Sequence, residues 1–319
     1  MTINQENNSG TTPQPELPLK SWAERNGFAD WVLALMWIVV AFVLFQVSAG
    51  VVAFVLFMMR EGISGQPEPQ QMMDAFQQNL DLLFIGNSFG QIVFLGAATW
   101  LFSRLHSVGN HPRFMRFQSH SDTPSKLVQT ALLIVAAQPV IWFLSWVNVQ
   151  LPAPEFFQNM QNTQMQMIED FLKGDHNLAL TLFHIGLVPA VCEEVLYRGY
   201  VLRAFQKSWG IWVAIVISGL LFGLYHVQLT NLLPLAAIGM ILAYVTYVSE
   251  SIYPAILAHL INNGGSVLIA SFYPDSSIAE MTPETMPPLW ALAIGLGVSA
   301  WIVYHMYQNR QQDTGGKDV

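Results

Sequence analysis

The chain has 319 residues, 53% hydrophobic and 11% charged, with a mean hydropathy of +0.39 and a formal charge of −8; an ordinary soluble domain carries roughly 25% charged residues. Thirteen Lys and Arg cannot build a phosphate-binding face, which excludes nucleic acid as the partner. A single cysteine, Cys192, excludes an intrachain disulfide framework and a cysteine-rich zinc knuckle. The composition is that of a membrane protein.

Residues 1–30 are polar and rich in Asn, Gln, Thr and Pro, too poor in apolar surface to order themselves, and read as a disordered tail. No short apolar segment precedes Trp31, and the run that begins there is too long for a signal peptide, so no cleaved signal is expected. A helix needs about 20 apolar residues to cross a bilayer core of roughly 30 Å. Eight runs are candidates: Trp31–Met59, Leu82–Phe102, Leu127–Val149, Leu178–Val201, Ile211–Val227, Leu232–Val248, Ile252–Phe272 and Leu289–Tyr307. The fifth and sixth are short and separated only by Gln228, Leu229, Thr230 and Asn231. Between the third and fourth, Phe156, Phe157, Met160, Met167, Ile168, Phe171 and Leu172 recur at helical spacing among polar residues. That segment reads equally as an amphipathic helix on the outer surface or as a cap packed on the bundle.

Lys and Arg favour the cytoplasmic side of membrane proteins, which tests the span count independently of hydropathy. With the N-terminus inside, the inner segments hold Lys20, Arg25, Arg104, Arg113, Arg116, Lys126, Arg203, Lys207, Arg310 and Lys317, and the outer loops only Arg60 and Lys173. The outer loops are acidic, which accounts for the net charge. The expected fold is therefore all-α: a polytopic membrane bundle of about eight helices over residues 31–307, both termini cytoplasmic, with 308–319 as a cytoplasmic tail. No internal repeat or second domain is visible.

Ionisable side chains at the centre of a bilayer are costly and mark candidate sites. Here they gather on the fourth, fifth and seventh runs: Glu193, Glu194 and Arg198 in AVCEEVLYRGY, His226 in LLFGLYHVQ, and His259 in AILAHLINNGG, followed by Asn262 and Asn263. Residues four apart share a helix face. Glu194 can thus pair with Arg198, which leaves Glu193 turned elsewhere, and His259 and Asn263 project together. Phe222 shares a face with His226 and reads as packing. A carboxylate in a low-dielectric cavity suits a general base acting on water, and an imidazole and an amide on successive turns suit an oxyanion hole. The set reads as water-mediated peptide hydrolysis without a covalent nucleophile.

Bland readings stand beside these. A lone His on an apolar face is usually a satisfied core residue, and an intramembrane Glu can be a structural hydrogen-bond partner. His184, nine residues before Glu193, falls on the other face of its helix. Cys192 reads as a small buried hydrophobe, and His106, His111 and His120 as solvated loop residues. Counted from the helix ends, His226 comes out deeper than Glu193 and His259. A shared site therefore requires the fifth helix to begin well after Ile211 or the fourth to run past Val201 toward Lys207.

The three segments, EEVLYR, FGLYH and HLINN, resemble the E-E-x-x-x-R, F-x-x-x-H and H-x-x-x-N/D motifs of the CPBP family, which includes the type II CAAX prenyl endopeptidases and the Abi and bacteriocin-processing proteins. The resemblance covers about residues 120–272 and implies an intramembrane glutamic endopeptidase. By that resemblance Glu193 activates water with His226, and His259 and Asn263 form the oxyanion hole. Glu194 and Arg198 would hold the helix and the first glutamate in place. Pro189 removes a backbone hydrogen bond just before Glu193 and is positioned to kink the fourth helix. The implied partners are a membrane-associated peptide or protein substrate and the lipid bilayer of a bacterial cell, with no cofactor. Two alternatives remain: zinc held by Glu193, His226 and His259, without the H-E-x-x-H helix of the usual zinc proteases, and a transporter or immunity-type binding protein that uses the same buried groups without proteolysis.

Overall fold

The structure, a computed structural model, describes residues 20–62, 79–173, 177–273 and 285–314. Within these residues the chain is helical, without strands. All eight apolar runs are helices, and the polar segment between the third and fourth is a ninth. They are α1 (Asp30–Glu61), α2 (Leu80–Leu105), α3 (Thr123–Ala136 and Gln138–Val149), α4 (Glu155–Lys173), α5 (Leu178–Trp209), α6 (Ile211–Tyr225), α7 (Leu232–Ser249), α8 (Tyr253–Phe272) and α9 (Leu289–Thr314).

Six of these are long and apolar enough to cross a membrane: α1, α2, α5, α7 with its leading turn, α8 and α9. The protein is a multi-pass integral membrane protein. A seventh span results if the halves of α3 count as one; they are bent by 41°, and Pro139 at the joint supplies the cause, since it has no N–H to continue the ladder. The eighth run, α6, is only 15 residues, about 22 Å at 1.5 Å per residue.

Burial sorts the helices. Two-thirds of the apolar window of α7 (67%) is buried inside the bundle, against 22% for α1 and 17% for α9. The outer helices turn Val39, Val47, Trp290 and Trp301 outward, as a lipid-facing surface requires, while α7 forms the centre. It lies so close to α6 that a Cβ at Gly239 would come within 2.9 Å of the Gly219 Cα and carbonyl oxygen. The cap and surface readings of α4 each describe one end of that helix. Phe171 is buried against Phe84, ring centroids 4.1 Å apart, and Gln164 accepts from Gln228 at 2.9 Å, while Phe156 is exposed.

Several expectations change at the ends of the bundle. Residues 1–19 of the expected tail lie outside the described residues. Trp22–Arg25 forms a helical turn closed by Ser21 and Glu24, each side chain bonded to the other's backbone N–H. The Ser21 N–H and Lys207 hold the Glu24 carboxyl below its ordinary range, and Lys207 Nζ lies 3.1 Å from Glu24 and 3.0 Å from Asp30. The loop histidines divide. His120 is exposed, but His106 and His111, expected to be solvated, are buried. His106 Nδ1 lies 2.6 Å from Asp30 and its Nε2 2.9 Å from the Tyr200 hydroxyl, while His111 Nε2 lies 2.7 Å from Ser103 Oγ. Each is a polar ring enclosed because it is bonded. At the other terminus α9 continues to Thr314, and Arg310 donates to the Tyr247 carbonyl at 2.8 Å and pairs with Glu250 at 2.9 Å; residues 315–319 lie outside the described residues.

Candidate active site

The site begins with the shape of α5. This helix runs unbroken from Leu178 to Trp209 and ends at Gly210, whose φ of 78° reverses the chain. Two wide π stretches, Leu182–Leu187 and Val195–Val201, bracket a regular segment, Val188–Glu194. The sequence required α5 to run past Val201 or α6 to start late. The structure takes the first course, since α6 begins at Ile211. Pro189, positioned to kink the helix, leaves it continuous, and its effect is local. The carbonyl four residues back, Ile185, is denied an α-helical donor and accepts instead from Asn263 Nδ2 at 3.3 Å.

Glu194 is fully buried and accepts two charge-assisted hydrogen bonds at Oε1, from Arg198 and from His259 Nδ1, both at 2.8 Å. Arg198 donates its other terminal nitrogen to the Gly239 carbonyl of α7 at 2.8 Å, and its Cζ sits 4.6 Å above the Phe222 ring. The ion pair expected from the four-residue spacing is present. The same oxygen that holds Arg198 also ties Glu194 to His259 of α8, while Oε2 has no hydrogen-bond partner in the protein.

Glu193, about 100° around the helix from Glu194, is itself buried. Its Oε2 has no hydrogen-bond partner in the protein and lies 4.0 Å from Nε2 of His226 and 4.0 Å from Nε2 of His259. These separations are too long for direct hydrogen bonds and short enough for one water to touch each pair. The tautomer of His226 follows from its other nitrogen. Nδ1 lies 2.8 Å from the Phe222 carbonyl, which can only accept, so Nδ1 carries the proton and the Nε2 of the neutral ring presents a lone pair toward Glu193. His226 is the C-cap of α6, and the next residue, Val227, has a φ of 57°, a strained conformation for a β-branched residue that the surrounding structure must hold.

Asn263 stands one turn beyond His259 on α8. One N–H of its amide serves Ile185, and its oxygen accepts from Asn262 at 3.2 Å. Asn262 in turn accepts from Gln138 of α3 at 3.2 Å, a bridging role. His184 stays outside the cluster, 2.7 Å from Ser88 Oγ on α2, and Cys192 is buried beside Gly96. Among the described residues, no group of three or more His, Cys, Asp or Glu is disposed to hold a metal ion.

Three contributors escaped sequence reasoning. The carbonyls of Phe222, Gly239 and Ile185 bear on His226, Arg198 and Asn263, and backbone oxygens carry no sequence signature. The Phe222 ring does more than fill space: it is 5.0 Å from His226, 5.8 Å from His259 and beneath Arg198. Gly239 makes its contribution by allowing α7 to approach. Gly239→Ala is expected to push α6 and α7 apart, at about 1–3 kcal/mol for overpacking, and to lower the melting temperature in detergent. An unchanged melting curve would mean that the helices adjust without cost.

The chain is similar to known proteins over part of its length. An Escherichia coli protein described as "Uncharacterized 24.3 kDa protein" is 30% identical over 135 residues, 40% of this chain and 58% of that protein. A Bacillus subtilis (strain 168) protein named "Putative membrane peptidase YdiL" is 26% identical over 103 residues, 32% of this chain and 41% of its own length. The chain thus spans about half the length of the curated relatives it matches. No solved structure matches. Residues 175–265, which hold Glu193, Glu194, Arg198, His226, His259 and Asn263, match the family described as "Type II CAAX prenyl endopeptidase Rce1-like", and the resemblance carried by the three motifs is borne out over that stretch.

Proposed function

We propose that this protein is an intramembrane endopeptidase in which Glu193 and His226 activate a water molecule against a peptide bond. The observation that carries this reading is the unpartnered Oε2 of Glu193, set 4.0 Å from two imidazole nitrogens in a buried cluster. A role as a membrane protease fits the Rce1-like match and the relative named as a peptidase.

A water in that gap has two hydrogens, and two acceptors face it: the Glu193 carboxylate and the His226 lone pair. Attack forms a bond from the water oxygen to the carbonyl carbon, with one water proton passing to Glu193. The carbonyl oxygen then becomes an oxyanion. His259, with Nδ1 engaged by Glu194 at 2.8 Å, turns Nε2 toward the gap and serves the oxyanion from that nitrogen when it bears hydrogen. The second N–H of Asn263 supplies another donor, and preorganised donors of this kind contribute roughly 10²–10³-fold each. Collapse breaks the C–N bond, and the proton held on Glu193 passes to the departing amine. Glu194 and Arg198 touch no substrate; they position His259 and tie α5 to α7 and α8.

The substrate proposed is a peptide or protein segment anchored in the membrane. The test is purified full-length protein in detergent with a library of anchored peptides, with and without strong chelator. Cleavage that persists in chelator and disappears in Glu193→Ala supports the reading. Cleavage that chelator abolishes and zinc restores would replace it with a metal-dependent mechanism.

A further inference from the structure

A second cluster of charge lies away from Glu193, where the end of α5 meets the loop before α3. Three guanidiniums, Arg116, Arg203 and Arg310, share one carboxylate and one amide oxygen. Glu250 lies 2.9 Å from Arg310 and 3.6 Å from Arg116, and Gln206 Oε1 accepts from Arg116 at 2.8 Å and from Arg203 at 3.3 Å. Arg116 is almost wholly buried, and its NH1 finds no hydrogen-bond partner. Burial and the neighbouring guanidiniums push it down to about 10, against the pull of Glu250. The backbone also holds this pair in place: Arg116 and Glu250 are both in the left-handed region, with φ of 58° and 50°, and the Arg116 carbonyl accepts from the Ile252 N–H at 3.0 Å.

Beside this cluster is a cavity of about 340 Å³ lined by Val108, Asn110, Arg113, Phe114 and Arg203. Two of its five lining residues are arginines, and no acid lines it. Arg113 makes no side-chain hydrogen bond or ion pair among the described residues, and Arg203 donates to the shared Gln206 amide oxygen at 3.3 Å. Asn110 uses its side-chain oxygen on the Arg113 N–H at 3.0 Å, which leaves its NH₂ as a donor. The apolar lining, Val108 and Phe114, completes a pocket with donors on one wall and hydrocarbon on another.

The geometry points to a phosphate-binding site in this cavity, one that takes the headgroup of an anionic phospholipid. The excess of guanidinium over carboxylate supplies the charge complementarity, and the fork of arginine suits phosphate oxygens. What favours a lipid as the source is position. The same end of the bundle carries exposed Trp31, its ring tilted against Trp209 at 5.4 Å, and exposed Trp212, 5.9 Å from Tyr247, whose carbonyl binds Arg310. Amphipathic aromatic rings of this kind settle at the headgroup level of a bilayer, and basic pockets between membrane helices bind anionic headgroups. None of these residues belongs to the Glu193 cluster, so the inference stands apart from the proteolytic reading.

Native mass spectrometry of the full-length protein in detergent tests it, with phosphatidylglycerol and phosphatidylcholine of identical chains added in turn. The wild type is expected to retain phosphatidylglycerol roughly tenfold more than phosphatidylcholine, from two arginines facing one phosphate. Arg113→Gln and Arg203→Gln should each reduce that ratio toward one; Arg113 is exposed, so its variant remains decisive if Arg203→Gln fails to fold. Equal retention of the two lipids, or a ratio unchanged in Arg113→Gln, overturns the site. A separate arm measures the melting temperature in inorganic phosphate. A rise lost in Arg113→Gln, without any lipid preference, would assign the cavity to free phosphate and overturn the headgroup as its occupant.

Discussion

Glu193→Gln is expected to abolish peptide hydrolysis while leaving the fold intact or slightly stabilised. The amide keeps the shape of the side chain and removes the one carboxylate among the described residues that lies 4.0 Å from both Nε2 atoms. Loss of a positioned general base typically costs 10²–10⁴-fold, and here the same group must also return the proton to the leaving amine, so the upper part of that range is expected for kcat. Stability should move the other way. Oε2 of Glu193 is buried without a hydrogen bond, and a buried charge lacking a partner is a cost to folding. A melting temperature at or above that of the wild type, together with lost cleavage, separates a catalytic role from a structural one. Cleavage at more than a tenth of the wild-type rate would remove Glu193 from the mechanism.

Arg198→Met is the change expected to damage the protein most. The guanidinium holds Glu194 at 2.8 Å, the Gly239 carbonyl at 2.8 Å and the face of Phe222 at 4.6 Å, linking α5, α6 and α7. Without it Glu194 remains fully buried with His259 as its sole partner. Breaking one side of a buried ion pair costs about 3–5 kcal/mol, a large fraction of the 5–15 kcal/mol that typically separates folded from unfolded protein. A large fall in melting temperature and in yield is expected, measured by thermal unfolding in detergent. Arg198→Lys should recover part of it at most, since one ammonium cannot serve both acceptors in the planar geometry of the fork. The double variant Glu194→Gln with Arg198→Met removes both charges together. It is expected to regain stability relative to Arg198→Met while remaining slow, because His259 then lacks the carboxylate that orients it. Recovery of hydrolysis along with stability would limit the pair to a purely structural role.

Much of the site was legible because hydropathy makes each exception conspicuous. In runs of Leu, Val and Ile, a Glu, a His or an Arg is costly enough to require a reason, and the four-residue rule correctly joined Glu194 to Arg198 and separated Glu193 from both. The same rule could not show the pair's link to His259. It sees one helix at a time, and the second hydrogen bond to Glu194 comes from His259, 65 residues later. The loop histidines were misread for a related reason. His106 lies among polar neighbours in sequence, yet its bonds are to Asp30 and Tyr200, 76 and 94 residues away, and those enclose it.

The sequence by itself determined the class of the molecule, the positions of its apolar helices and the identity of the unusual side chains, because each depends on local composition and on the cost of placing charge in hydrocarbon. Tertiary structure alone decided that α3 bends, that α6 is too short to match its neighbours, that Glu194 serves His259, and that Glu193 meets two imidazoles at equal distances. Those outcomes depend on where one helix stops relative to another, and on backbone carbonyls that every residue possesses. Helix termination and the relative height of helices are set by contacts across the bundle, which no window along the chain contains.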